Sequence, residues 1–210
     1  MHKNLFLAIT MTVGAVALVA GSGVASAAPY GDTSPIYVGG GLGRTEYDIR
    51  CRLADKCNLH KTGSGKLYAG FSFAPSDVWH GVQLVSSLEA VAYQSGEVAL
   101  NGRYQSIVAP LVQSFRGAGL VYKGSIRAGE SLSVHGRVGV SHTWGKMEYK
   151  GRPPSSATFG RTAPTAGVGL SYALDRQWSL NADYDRLKVK FDGWPVDTVH
   201  MMTLGAGYKF

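Results

Sequence analysis

Charge is scarce in this chain, at 17% of 210 residues, and there are only 2 Cys. So little cysteine excludes a disulfide-dense mini-protein, and 45% hydrophobic content excludes a disordered chain. Long apolar runs are also missing beyond the N-terminus. Charge-free stretches there reach only about a dozen residues, short of the ~20 a spanning helix needs, and mean hydropathy is -0.02. A helical membrane protein is therefore excluded. What is abundant is glycine, 28 residues, nearly twice its average share of about 7%.

The one long apolar run lies at the start. His2 and Lys3 precede Leu5 to Ala20, the segment Gly21-Ser22-Gly23 breaks the run, and Ala25-Ser26-Ala27 offers the small residues that a signal peptidase reads. Residues 1–27 are expected to be a cleaved signal peptide, 28–33 a short tail, and 34–210 one domain. The whole chain has a net charge of +7, and loss of Lys3 leaves +6. In the cytosol that charge would point to nucleic acid. For an exported chain it points to anionic lipid, and nucleic acid is not expected as a partner.

The body is patterned in twos. His200, Met202, Leu204, Ala206, Tyr208 and Phe210 share one parity, and Met201, Thr203, Gly205, Gly207 and Lys209 the other. Leu132, Val134, Val138 and Val140 alternate in the same way with Ser133, His135, Arg137, Gly139 and Ser141. Eight such segments are expected, at 34–47, 66–73, 81–93, 115–127, 132–147, 163–172, 178–191 and 200–210. The third is apolar on both faces around Val82 to Val91, and a bulge or register shift is expected in it. A soluble sandwich also alternates. The connections, however, run short (74–80, 128–131, 173–177) and long (48–65, 94–114, 148–162) in turn, with 192–199 intermediate. Short turns at one end and long loops at the other, with an even strand count, are features of an outer-membrane barrel. Closure removes the unpaired strand edges that lipid cannot hydrate. The fold class is thus all-β, an eight-stranded antiparallel up-and-down transmembrane barrel. The run Gly39-Gly40-Gly41-Leu42-Gly43 is not a phosphate loop, because Thr45-Glu46-Tyr47 continues as strand with no helix signal behind it.

Tyr37-Val38-Gly39-Gly40 at the first strand and Leu204-Gly205-Ala206-Gly207-Tyr208-Lys209-Phe210 at the last resemble the transmembrane domain of outer-membrane protein A and the small opacity-protein and Ail-like barrels. The resemblance covers residues 34–210. It implies that Leu204, Ala206, Tyr208 and Phe210 form the signal read by the outer-membrane barrel-assembly machinery. It also implies a charge cluster plugging the interior, with Glu89, Lys123, Arg137 and Asp183 at inward positions. Ser171 and Asn181 stand where the family has a further acid and base, so a thinner network is expected. No cell-wall-binding domain follows Phe210, so no anchoring to peptidoglycan is expected.

Cys51 and Cys57, in the first long loop of an exported chain, are expected to form a disulfide worth roughly 2 kcal/mol. A metal site there would have only His60 as a third ligand, and neither metal nor cofactor is expected. His135 and His142 are an odd number apart and face opposite ways, and no Ser, His and acid assemble from the sequence, so no enzyme is expected. Aromatic belts are expected from Trp79, Trp178, Phe73 and Phe210 near the short turns and from Tyr47, Tyr93, Trp144 and Trp194 near the loops. The loops carry charges of +2, +1, +2 and -2 in chain order. Arg50, Arg52, Lys56, Lys150 and Arg152 are expected to contact lipopolysaccharide phosphates. These expectations describe a monomer of the Gram-negative outer membrane, contributing to envelope integrity. Surface recognition of host ligands through the loops and a narrow pore are the alternatives.

Overall fold

The computed structural model describes residues 35–48, 61–73, 76–79, 82–104, 107–149, 154–191 and 197–210. All lie in the compact unit of residues 33–210. Among the described residues ten strands form: β1 (Ile36–Asp48), β2 (Lys61–Ser72), β3 (Ser76–Trp79), β4 (Val82–Ser95), β5 (Val98–Tyr104), β6 (Ile107–Arg127), β7 (Leu132–Tyr149), β8 (Ser155–Ala173), β9 (Trp178–Val189) and β10 (Asp197–Lys209). Eight of them close a barrel in the order β1-β2-β4-β6-β7-β8-β9-β10, every pairing antiparallel, with β1 against β10 as the seam. The short β3 and β5 pair only with β4 and β6 respectively. Every strand of the closed wall has two neighbours, so lipid meets no open edge.

Parity decides which residues face in. On β9, Trp178, Leu180, Arg186 and Lys188 are exposed while Asn181, Asp183, Asp185, Leu187 and Val189 are buried. The outward set is apolar in the middle of the wall, with Leu42 at 64% exposure and Leu204 at 72%, which is the reverse of a soluble core and what a hydrocarbon solvent requires. At the short-turn end Trp178, Tyr208 and Phe210 stack edge to face at 4.9 and 5.1 Å. Trp144 sits near the loop end with His142 at 4.6 Å. Tyr47 and Tyr93 do not join that belt. Both have inward parity and are buried in the lumen, at 1% and 3% exposure; nearness to a loop places a residue in height, and parity alone chooses its side.

Two other expectations need correction. The connections 94–114 and 148–162 are largely strand where they are described. β5 and β6 form a hairpin over 98–104 and 107–113, and β7 and β8 stay paired as far as Tyr149 and Ser155. Pairing outlasts the apolar pattern because backbone groups gain partners in water as well as in lipid. The irregularity expected in the third segment falls instead between Asp77 and Trp79 of β3. β4 itself keeps an unbroken register with β2 and β6, its inward Val85 and Val91 filling the lumen where other strands place polar groups.

Candidate functional site

The lumen is filled in two blocks. In the first, three cations, Lys66, Lys123 and Arg137, meet three carboxylates, Glu89, Asp183 and Asp185. Lys66 Nζ donates to Asp183 Oδ2 at 2.7 Å and to Asp185 Oδ2 at 2.6 Å. Arg137 Nε donates to Glu89 Oε2 at 2.9 Å. Its Nη1 stands 2.9 Å from Asp183 Oδ1, an ion-pair contact whose angle falls short of a hydrogen bond. Lys123 Nζ lies 3.2 Å from Glu89 Oε1, which also accepts from the Tyr37 hydroxyl at 2.7 Å. The guanidinium sits 5.7 Å from the Tyr68 ring centre, a cation–π contact, and Asn181 Nδ2 donates to the Tyr68 hydroxyl at 2.9 Å.

Local sequence makes room for this cluster. Arg137 of β7 faces Gly167 of β8, which faces Asp185 of β9; His135, Gly169 and Asp183 form the next such row. A Cβ at Gly169 would stand 2.5 Å from His135 Nε2, and one at Gly167 would press on the Asp185 carboxylate. The two inward glycines are the vacant positions into which the carboxylates and the imidazole reach.

The second block is apolar and lies toward the loop end. Tyr47, Tyr93, Phe115, Leu187, Val189, Phe191, Val199 and Met201 pack together, all nearly or fully buried. Tyr47 and Phe115 meet edge to face at 6.1 Å, and Phe191 lies 6.3 Å from Tyr47. The Tyr47 hydroxyl is hydrogen-bonded to Ser95 Oγ at 2.7 Å, and Ser95 Oγ accepts the Phe115 N–H at 2.9 Å. At the short-turn end there is instead a polar cavity of about 160 Å³, lined by serines together with Tyr37, Lys123 and Asn181. Its inner wall includes Lys123, so small solutes entering from that end meet the ion cluster first and the apolar block beyond it.

Glu89, Lys123, Arg137 and Asp183 thus come together in one contiguous cluster. Lys66, Asp185 and His135 belong to it as well, and sequence reasoning missed them. The cluster is accordingly richer than the expected thin network, and Ser171 and Asn181 hydrogen-bond one another at its edge. The signal that would have found the missing members is parity: each shares the inward set of its strand. His135 Nε2 donates to Asp183 Oδ1 at 2.8 Å, an acid–His pair that the sequence did not suggest. Its Nδ1 has no hydrogen-bond partner among the described residues, so no serine nucleophile is engaged. His142 faces out, its Nδ1 2.7 Å from Thr162 Oγ1.

Leu204, Ala206, Tyr208 and Phe210 line the outward side of the β10 end, where Phe210 N–H donates to the Ile36 carbonyl at 3.2 Å. Cys51, Cys57, Arg50, Arg52, Lys56, Lys150 and Arg152 lie outside the described residues, as do Trp194 and the leader. Among the described residues no group of three or more His, Cys, Asp or Glu is arranged to hold a metal ion.

The family model for the outer membrane protein beta-barrel domain matches residues 14–210. No curated protein sequence matches this chain. Among solved structures, the chain is similar in fold to Ail, the attachment invasion locus protein of Yersinia pestis, crystallised with the heparin analogue sucrose octasulfate. That match has a TM-score of 0.54 at 17% identity and covers 83% of this chain and 97% of that one. Neisserial surface protein A matches at 0.57 and 15% identity, covering 86% and 100%. OprG from Pseudomonas aeruginosa matches at 0.51 and 13% identity, covering 86% and 98%.

Proposed function

The chain belongs to the outer membrane protein beta-barrel domain family, and from that premise we propose that it is a sealed, non-catalytic barrel that contributes to envelope integrity and meets its surroundings through its outer surface. The observation that carries this reading is the doubly blocked lumen, with an ion cluster backed by an apolar block. A narrow pore would need both to move. Planar-bilayer recording of the refolded protein tests it: silence, or small rare openings, is expected, and steady conductance would overturn it. The complementary cellular test is sensitivity of a strain lacking the protein to detergent and bile salts, which should rise.

A second reading is surface recognition through the long loops. Their net positive charge favours it, and the heparin analogue bound by the similar Ail barrel suggests sulfated polysaccharide as the ligand class. Retention on immobilised heparin, lost on shortening residues 49–60, is the expected result; retention unchanged by that deletion would reject it. Within the same proposal stand a leader cleaved after Ala27, a Cys51–Cys57 disulfide, assembly directed by Tyr208 and Phe210, a monomeric state, and phosphate contacts by Arg50, Arg52, Lys56, Lys150 and Arg152.

A further inference from the structure

The cavity at the short-turn end is lined by hydrogen-bond donors and by positive charge. Among its described lining residues two are charged, Lys123 and Lys209, both basic, and serine and tyrosine hydroxyls make up most of the rest. Lys123 Nζ has three protons to place and one ion-pair partner among the described residues, Glu89 Oε1 at 3.2 Å. The Tyr37 ring centre, 5.2 Å away, attracts the charge without taking a directed hydrogen bond. Glu89 is itself fully engaged, since it also accepts from Tyr37 and Arg137 and is wholly buried. The Tyr68 hydroxyl accepts from Asn181 Nδ2 at 2.9 Å, which leaves its own proton without an acceptor among the described residues. Ser125 Oγ, of inward parity and half-buried, has no hydrogen-bond partner among them either. At the mouth, the Lys209 N–H donates to the Gln177 carbonyl at 2.8 Å and so fixes where the second lysine leaves the strand.

Glycines keep this end open. Tyr37 lies over Gly70 and Tyr68 over Gly39 in the β1–β2 register, where any Cβ would strike their rings, so both rings rest against the wall and the lumen between them is free. The space of about 160 Å³ is several times the ~30 Å³ share of one water, enough for an oxyanion with part of its hydration. The acids of this end are Asp77, opposite Gln83 in register, Glu130 and Asp175 in the turns, and the chain terminus. Against them stand Arg127, Arg176 and the two lining lysines, so the rim is close to neutral and the lysines set the sign inside. We propose that this cavity is a binding site for a small, phosphate-sized oxyanion that enters from the short-turn side. Lys123 forms its floor by a charge-assisted bond, the Ser125 and Tyr68 hydroxyls donate to its other oxygens, and Lys209 draws it in at the mouth. Strand pairing is continuous around the cavity, so the ion comes from solution and not from a lipid headgroup. The proposal rests on the closed-barrel reading but is independent of whether the lumen conducts, which bilayer recording decides separately.

The test uses the mature protein refolded in a nonionic detergent and titrated calorimetrically with inorganic phosphate at constant ionic strength, with sodium sulfate and sodium chloride as comparisons. Phosphate should bind one to one and saturably, at roughly 1 mM or tighter, and sulfate should compete with it. Lys123→Gln should weaken binding at least about tenfold, the loss of one hydrogen bond to a charged group. Because Lys123 also supports Glu89, two further variants leave the ion cluster intact. Ser125→Leu fills the cavity and should abolish binding, and Lys209→Gln should weaken it about threefold, more at low salt. Arg176→Gln, at the same end but outside the lining, should stay within about twofold of wild type. Heat-dependent gel mobility, retained in the variants, separates lost binding from lost folding. Absence of phosphate binding by the wild-type protein, binding unchanged by Ser125→Leu, or an equal response to chloride would overturn the site. An equal loss in Arg176→Gln would overturn it too, by showing diffuse charge at the rim in place of a site.

Discussion

Replacing Arg137 with Met keeps the length of the side chain and removes its charge. Arg137 is 2% exposed in its side chain and touches Glu89 and Asp183, each at 2.9 Å. Removal of one partner from a buried ion pair costs about 3–5 kcal/mol, because the remaining charge has lost its compensation without regaining water. Here each carboxylate keeps a lysine, Lys123 for Glu89 at 3.2 Å and Lys66 for Asp183 at 2.7 Å, so the lower figure, about 3 kcal/mol, applies. With a urea slope of roughly 1–3 kcal/mol/M, the unfolding midpoint falls by about 1–3 M. Urea titration of the refolded protein, read from the fraction keeping its folded gel mobility, measures this. The double variant Arg137→Met/Glu89→Gln should recover part of the loss, since it restores the balance of charge in the cluster, two lysines against two aspartates. A single variant within about 0.5 kcal/mol of wild type, the range of an ordinary surface substitution, would refute the reasoning: it would mean that water already enters the lumen and screens the cluster.

The apolar block gives a separable prediction. Phe191→Ala removes a ring with 0% exposure and should cost about 3–5 kcal/mol in the same titration; bilayer conductance should stay absent in this variant and in Arg137→Met, and appear only when the two are combined. On the outer wall, Leu204→Arg, at a position 72% exposed to lipid, should cost roughly 2–4 kcal/mol in lipid vesicles. The same change should be nearly neutral at Met202, one step nearer the headgroups, and the pair of unfolding curves locates the boundary. At the short turn, Asp175 Oδ1 accepts the Gln177 and Trp178 N–H groups at 2.7 and 2.6 Å. These bonds hold its carboxyl below the usual aspartate value of 3.8. A depressed folded value means that its contribution is complete above about pH 4 and is lost as pH falls through the depressed value. Asp175→Asn should therefore differ from wild type at neutral pH and converge with it in acid, as followed by thermal unfolding.

Period-two patterning, together with the alternation of short and long connections, was enough to read the barrel and its eight wall strands, because a bilayer inverts the solvent and marks the outward positions in the middle of the wall as apolar. The family resemblance placed Glu89, Lys123, Arg137 and Asp183 at inward positions before any contact was known, and parity agrees with it. Parity does not carry register around a closed sheet. That Lys66 of β2 reaches Asp183 and Asp185 of β9, 117 and 119 residues away, follows from closure through β1 and β10. That His135 meets Asp183 depends on Gly169 lying between them. The apolar block was missed for a related reason: Tyr47, Tyr93, Phe115 and Phe191 lie on four separate stretches of chain, and Tyr47 and Tyr93 were assigned to the loop-end belt by height alone, until the curvature of the barrel turns all four toward one point. Local alternation is a property of the backbone pleat and needs no tertiary structure. Which inward or outward side chains meet depends on how the sheet closes on itself, and that was decided by the tertiary structure alone.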